Sequence, residues 1–140
     1  MTATAKAYGR LTLSLFAGEV STAHPLKVTL HTSAYTPNQD THRYYADLAG
    51  ELPTANGYTA GGFTLANVAT AYDAPTNTLT LTASNPTWNG TVTARYAVVR
   101  DATTGALLGF LDFGADTSSI GGAFTIEWNA AGVLTLPVAA

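Results

Sequence analysis

TVTARYAVVRDATTGALLGFLDFG, residues 91–114, decides the fold class. Val92, Ala94, Tyr96 and Val98 alternate with Thr91, Thr93, Arg95 and Ala97, the period of two that marks a half-buried strand. DATTG (101–105) interrupts the pattern and supplies a glycine for positive φ, after which ALLGFLDFG resumes an apolar run. Two strands joined by so short a connection form an antiparallel hairpin. The same grammar extends outward. Leu79, Leu81 and Ala83 alternate with threonines in NTLTLTA (77–83), and DAPTN (73–77) supplies turn residues before it. FTIEW (124–128) and VLTLPV (133–138) flank NAAG (129–132), while LKVTLHT (26–32) and RLTLSLF (10–16) also alternate. Threonine on the wet face suits a pleated strand. Pro137 marks an edge or a strand end.

SAYTPNQDTHRYYADL, residues 33–48, breaks this rhythm. Thr36-Pro37-Asn38 reads as a turn, and Asp40 or Thr41 as the N-cap of a short helix running to about Leu48. Residues 50–62 follow as a Gly-rich loop. No domain boundary and no internal repeat is visible. The sequence therefore predicts an all-β chain: a single antiparallel β-sandwich, jelly-roll-like, over residues 1–140, with one short helix near residues 40–48. Residues 1–8 lack a strand pattern and read as a flexible docking arm.

Charge sets the surface chemistry. Only 11% of residues are charged, against about 25% in an ordinary soluble domain. The six basic residues are scattered and the net charge is −3, which argues against nucleic acid as a partner, since counterion release needs clustered cations. A lightly charged surface costs little to desolvate and suits contact with other subunits. Absence of cysteine removes disulfides, thiolate catalysis and Cys-ligated zinc. No apolar run approaches the ~20 residues that span a bilayer, and no basic segment with a cleavage-like site precedes LTLSLFAG (11–18). The expectation is a soluble, unprocessed protein with no membrane partner.

Catalytic constellations are not legible. Gly57, Gly61 and Gly62 are not followed by a Lys-Ser/Thr pair or a helix start, and His24, His31 and His42 lack the spacing of a zinc helix. Asp40 and His42 beside Asp47 resemble a cation-binding set less than a cap and a solvated histidine. Asp101, Asp112, Asp116 and Glu127 are the candidates for a pair of acid–base carboxylates, although Asp112 within LGFLDFGAD reads more simply as an edge marker. The sequence thus predicts no enzyme, no cofactor and no metal. Tyr35, His42, Tyr44, Tyr45 and Trp88 are the candidate partner-contact residues, because tyrosine and tryptophan bury much area and keep a polar handle. Trp88 and Tyr35, Tyr44 and Tyr45 are also the candidates for stacking on a sugar.

Four blocks carry a resemblance: SAYTPNQDTHRYYADL (33–48), GYTAGGFTLANVATAYDAPTNTLTLTA (57–83), TWNGTVTARYAVVRDATTGALLGFLDFGAD (87–116) and FTIEWNAAGVLTL (124–136). In this order the chain, from about residue 8 onward, resembles a family of small virion structural proteins of tailed bacteriophages. The resemblance implies a head decoration protein of the cement or head-fibre type, bound outside the shell to the major capsid protein and assembled in the host cytoplasm. It implies self-association, with a trimer favoured, and offers no catalytic residues. A tail or baseplate component, or a carbohydrate-binding module displayed on the virion, are the alternatives.

The closing segment gives a sharper structural expectation. Phe124, Ile126 and Trp128 should pack against a returning strand with Leu134, Leu136 and Val138 inward, making Trp128 a core residue. Trp88, between Pro86 and Asn89-Gly90, reads as a loop residue near the surface.

Overall fold

A computed structural model describes residues 2–138. Its first elements are β1 (Thr2–Ala3), β2 (Lys6–Ala7), α1 (Leu11–Phe16), β3 (Leu26–His31) and β4 (Phe63–Thr64). There follow β5 (Ala69–Asp73), β6 (Thr78–Thr82), β7 (Thr87–Asp101), β8 (Leu107–Thr125), β9 (Glu127–Trp128) and β10 (Leu134–Pro137). A five-stranded sheet has the order β2-β8-β7-β3-β4 and a three-stranded sheet the order β10-β6-β5, while β1 pairs with β9. The two larger sheets share one core, built from Leu26, Val28 and Leu30 of β3, residues of β7 and β8, and Leu81 and Leu134 of the smaller sheet. The fold is the all-β, sandwich-like architecture that the alternation predicts. DAPTN and DATTG are hairpin turns, between β5 and β6 and between β7 and β8.

The β7–β8 pairing contains an irregularity that reading by alternation misses. Ala94 pairs with Thr117 and Tyr96 with Asp112, so Arg95 stands opposite four residues, Phe113 to Asp116. Such a bulge shifts side-chain parity along the strand. Before it, Val92 and Ala94 face the shared core; beyond it, Ala97 and Val99 do. Tyr96 and Val98 point the other way, into a second cluster with Tyr8, Tyr35, Leu48, Leu107 and Phe110. Residues 97–101 are consequently buried on both faces, and the outer face needs a cover of its own.

That cover is the connection of residues 32–50, together with Tyr8. It is hydrogen-bonded in at both ends and in its middle. Thr32 N–H donates to the Gly50 carbonyl (2.8 Å), Tyr45 N–H to Gly105 (2.8 Å), and Leu107 N–H to Arg43 (2.8 Å). The expected helix at 40–48 is only a 3-10 turn, Tyr45–Asp47, flanked by extended Tyr44 and Leu48. Asp47 accepts the N–H groups of Arg43 and Tyr44 (2.8 and 2.9 Å), and the Asn38 side chain, rather than Asp40 or Thr41, caps the preceding turn.

Four further expectations change. LTLSLF forms α1 rather than a strand: Leu11 and Ser14, three apart, are buried, and the chain leaves the helix at Gly18 in the left-handed region. Six apolar-rich residues fit either period, so tertiary packing chose. Residues 1–8 were expected to form a flexible arm, and their described part is stitched into the fold instead. β1 pairs with β9, Ala5 N–H donates to Val133, β2 pairs with β8, and Tyr8 is buried; Met1 lies outside the described residues.

NAAG does close a turn, with Gly132 N–H on the Asn129 carbonyl (2.7 Å), but its flanks do not pair with each other. β9 stays beside β1, while Val133 N–H reaches Leu81 and β10 pairs with β6 in the other sheet. Phe124, Ile126 and Leu134 are buried as expected, but Leu136 is half-buried and Val138 is exposed. The tryptophans exchange roles. Trp88 lies within β7, is 4% exposed, and packs edge-on to Phe63 and Phe124 at 5.6 and 6.1 Å. Trp128 is half-buried, its indole N–H donating to the Ser84 carbonyl (3.1 Å).

Truncation of the buried ring should cost about 3–5 kcal/mol. Denaturant melts should therefore place Trp88→Ala well below Trp128→Ala in stability.

Candidate functional site

The five residues singled out by sequence do not converge on one point. Tyr35 and His42 meet; Tyr44 and Tyr45 each hold a separate lock; Trp88 lies in the core, with its edge on a small cleft beside Phe63 and Asn89. The first lock is a relay. His42 Nδ1 accepts the Asn38 N–H (3.2 Å), so the Tyr35 hydroxyl donates to it (2.8 Å) and in turn accepts from Tyr8 (2.7 Å). Burial, and then its bond to Tyr35, raise the Tyr8 pKa. Burial raises that of Tyr35 as well.

The second lock ties the connection to the segment after α1. The Tyr44 hydroxyl donates to both Glu19 oxygens (2.9 and 2.8 Å), and the Arg43 guanidinium reaches Glu19 (3.0 Å) and Ser14 (3.2 Å). These bonds, that from Tyr44 first, hold the Glu19 carboxyl below its ordinary value.

The third lock is centred on Glu51. It accepts from the Tyr45 hydroxyl, from Tyr58 (2.6 Å) and from the Gly61 N–H (2.7 Å). Burial works against its ionised form, but the three donors together outweigh it, and the carboxyl sits below its ordinary value. Burial, reinforced by Glu51, pushes Tyr45 up to about 12. The Arg100 guanidinium lies over the Tyr45 ring at 4.1 Å and donates to the Gly61 carbonyl (2.7 Å). Beside this lock His31 is buried in β3, its Nδ1–H donating to Ala49 and its Nε2 accepting from Thr29 (both 2.8 Å).

Nothing in this arrangement pairs an acid with a base across a void. Asp101, one of the acids considered for catalysis, is fully buried and closes its own turn. It accepts the N–H groups of Ser21, Thr103 and Thr104, and His24 stands at 2.8 Å from it. Asp112 is paired with Arg95 (3.0 Å) on the part of β8 beyond β2, as an edge marker would be. Among the described residues no three His, Cys, Asp or Glu side chains cluster as metal ligands, and no helix is long and apolar enough to cross a bilayer.

Two surfaces stand out among the described residues. One is a cleft of about 410 Å³ between the 51–58 loop and the β7–β8 hairpin, where Thr32, Ser33, Asn56, Thr91, Thr93 and Asp116 are mixed with Leu52, Pro53, Ala55, Tyr58 and Val92. Its loop wall is an Asn56-Gly57 turn with positive φ at both residues (55° and 94°), the type I′ geometry that Asn-Gly favours. The turn packs backbone to backbone on Asn89-Gly90 of β7; a Cβ on Gly57 would strike the Asn89 carbonyl, and one on Gly90 the Asn56 carbonyl. Recurrence of Asn-Gly was the signal in the sequence for this contact.

The other surface is apolar. Register puts Tyr72, Leu79 and Leu136 on the same face of the three-stranded sheet as buried Leu81 and Leu134, and a groove runs from Leu79 and Leu136 to Leu15 of α1. Phe16, next to Leu15, is 96% exposed, and Leu13, Tyr72 and Val138 are also exposed. None of the residues lining the groove is charged. Reading LTLSLF as a strand concealed this surface. Comparison with family models, with curated proteins and with solved structures found no match to this chain.

The locks give the fold a pH dependence with a definite sign. Burial, the largest influence, holds His31 below the ordinary histidine value of 6.5, and Glu51 sits below 4.5. A group whose pKa is lower folded than unfolded binds fewer protons in the folded state, so stability is full above the ordinary value and falls as pH drops through it. Urea midpoints should decline first below about pH 6.5 and again below about pH 4.5. In His31→Gln the first decline should be absent.

Proposed function

We propose that this chain is a non-catalytic structural protein of a tailed-bacteriophage particle. In this reading it is a head decoration protein that self-associates, with a trimer favoured, in the host cytoplasm and docks on the outside of the shell against the major capsid protein. The four sequence blocks supply the phage part of the reading. The observation that carries the docking part is the uncovered apolar face formed by α1 and the three-stranded sheet. Its inner half is core and its outer half, with Tyr72, Leu79, Leu136 and Val138, continues past the cover that α1 provides.

An apolar patch that remains continuous with the core is the usual mark of a protein–protein contact. The absence of charge along the groove keeps its desolvation cost low. A non-catalytic role is supported by the way the acids are used. Glu19, Glu51 and Asp101 each accept several donors from the protein itself, a use that fastens the fold.

The test is co-sedimentation with capsids lacking the protein. The wild-type chain should bind expanded shells, and Phe16→Asp should weaken binding at least about tenfold, equivalent to ~1.4 kcal/mol. Its melting temperature should be unchanged, because the ring has almost no contact to lose. Incorporation into isolated tails with no binding to heads would move the protein to the tail. Undiminished binding of Phe16→Asp would exclude this face.

A further inference from the structure

We infer that the uncharged-to-acidic cleft between the 51–58 loop and the β7–β8 hairpin, part hydroxyl and part apolar, is a binding site for a neutral sugar residue. The cleft volume, about 410 Å³, lies within the roughly 300–1,000 Å³ of small-ligand sites. Its walls come from three places in the chain that the fold brings together: Thr32 and Ser33 after β3, Asn56 on the type I′ turn, and Thr91, Thr93 and Asp116 on the hairpin.

The bulge opposite Arg95 puts Asp116 here. The pairing of β8 is suspended from Phe113 to Asp116, and Gly114 turns through positive φ with its N–H on Asp112 (2.8 Å). The loop wall is held from behind, since the contact between Asn56-Gly57 and Asn89-Gly90 leaves no room for a side chain. Preformed walls spare a ligand the cost of ordering them.

The side chains of Ser33, Asn56 and Asp116 are exposed and make no hydrogen bond to the protein among the described residues, so their polar atoms are open to a ligand. A carboxylate accepts from two adjacent hydroxyls, an amide both donates and accepts, and a hydroxyl does either. Together they match the vicinal diol of a sugar ring. Leu52 and Pro53 offer an apolar wall for the C–H face of that ring.

Other ligand classes fit less well. No Lys, Arg or His lines the cleft, so phosphate or carboxylate would find no counter-charge. A single carboxylate is a poor cage for a hard cation, which takes six to eight oxygens in the case of calcium. Of the four aromatics first considered for stacking on sugar, Trp88 and Tyr35 are buried, and neither they nor Tyr44 and Tyr45 line the cleft.

The experiment is a titration of the full ¹⁵N-labelled chain with methyl glycosides of glucose, galactose, mannose, N-acetylglucosamine and fucose at tens of millimolar, with sodium phosphate as the anionic probe. At least one glycoside should shift the amides of Ser33, Asn56, Thr91 and Asp116, and phosphate should not. Asp116→Asn and Ser33→Ala, both on exposed side chains, should each raise the dissociation constant at least about tenfold while leaving other amide shifts and shell docking unchanged.

Three results would overturn the inference. In one, no glycoside shifts these amides; in another, phosphate shifts them instead. The third is binding that both substitutions leave intact. Retained shell docking in Asp116→Asn separates failure here from failure of the structural reading.

Discussion

One strand buried on two faces sets the terms for the rest of this molecule. Ordinary antiparallel strands keep one face wet, and β7 begins that way, with Thr91 and Thr93 outward and Val92 and Ala94 inward. At Arg95 the register slips, and from Ala97 to Asp101 every residue is buried. Fully burying one aliphatic side chain contributes about 1.5–3 kcal/mol, so the outer row of Tyr96, Val98 and Leu107 is worth covering. The three-stranded sheet packs on the opposite face, with Leu81 and Leu134 in the shared core, so the cover of this face is something else. It is the 32–50 connection, which follows β3 directly and lies back over the sheet it has just left.

An irregular cover brings polar backbone with it, and polar groups placed on an apolar face must be satisfied. A single hydrogen bond stabilises by only about 1 kcal/mol net, whereas a buried group left without a partner costs about 1–3 kcal/mol. The arrangement of the tyrosines follows from this asymmetry. Tyr8, Tyr35 and His42 satisfy one another in series; Tyr44 is held by Glu19 and Tyr45 by Glu51. With nine acidic residues in 140, the chain uses several of them to fasten this layer. The surface that remains is built from hydroxyls, amides and two uncovered features, the apolar face beside α1 and the cleft containing Asp116. The same bulge that turns Val98 outward also carries Asp116 to the cleft, which links core parity to a surface site.

The alternation of LTLT, VTAR and FTIE made the all-β architecture legible, and DATTG and DAPTN made two of its hairpins legible. The parity reversal was not, because a bulge depends on the partner strand and nothing local to TARYAV announces it. Trp88 was misplaced for a related reason: Asn89-Gly90 beside it has the chemistry of a turn, yet here the glycine admits the backbone of another turn into mid-strand. LTLSLF fits both periods over six residues, and only the uncovered core at Leu26 and Leu108 decides for a helix. The density of aromatics and charge in residues 33–48 belongs to a structured connection, held by the side chains that make the stretch conspicuous. Its acidic partners, Glu19 and Glu51, lie outside that window and had no pattern to reveal them.

Residues 32–50 are a layer of the fold and not a loop laid on it, and native-state hydrogen exchange measures this directly. Tyr45 and Leu107 donate across the junction between connection and sheet, to Gly105 and Arg43, whereas Ala97 and Val98 belong to β7 itself. If the cover and the sheet form one cooperative unit, the amides of Tyr45 and Leu107 will exchange with the same opening free energy and denaturant dependence as those of Ala97 and Val98. Exchange of Tyr45 and Leu107 at loop-like rates, with β7 still protected, would contradict the account.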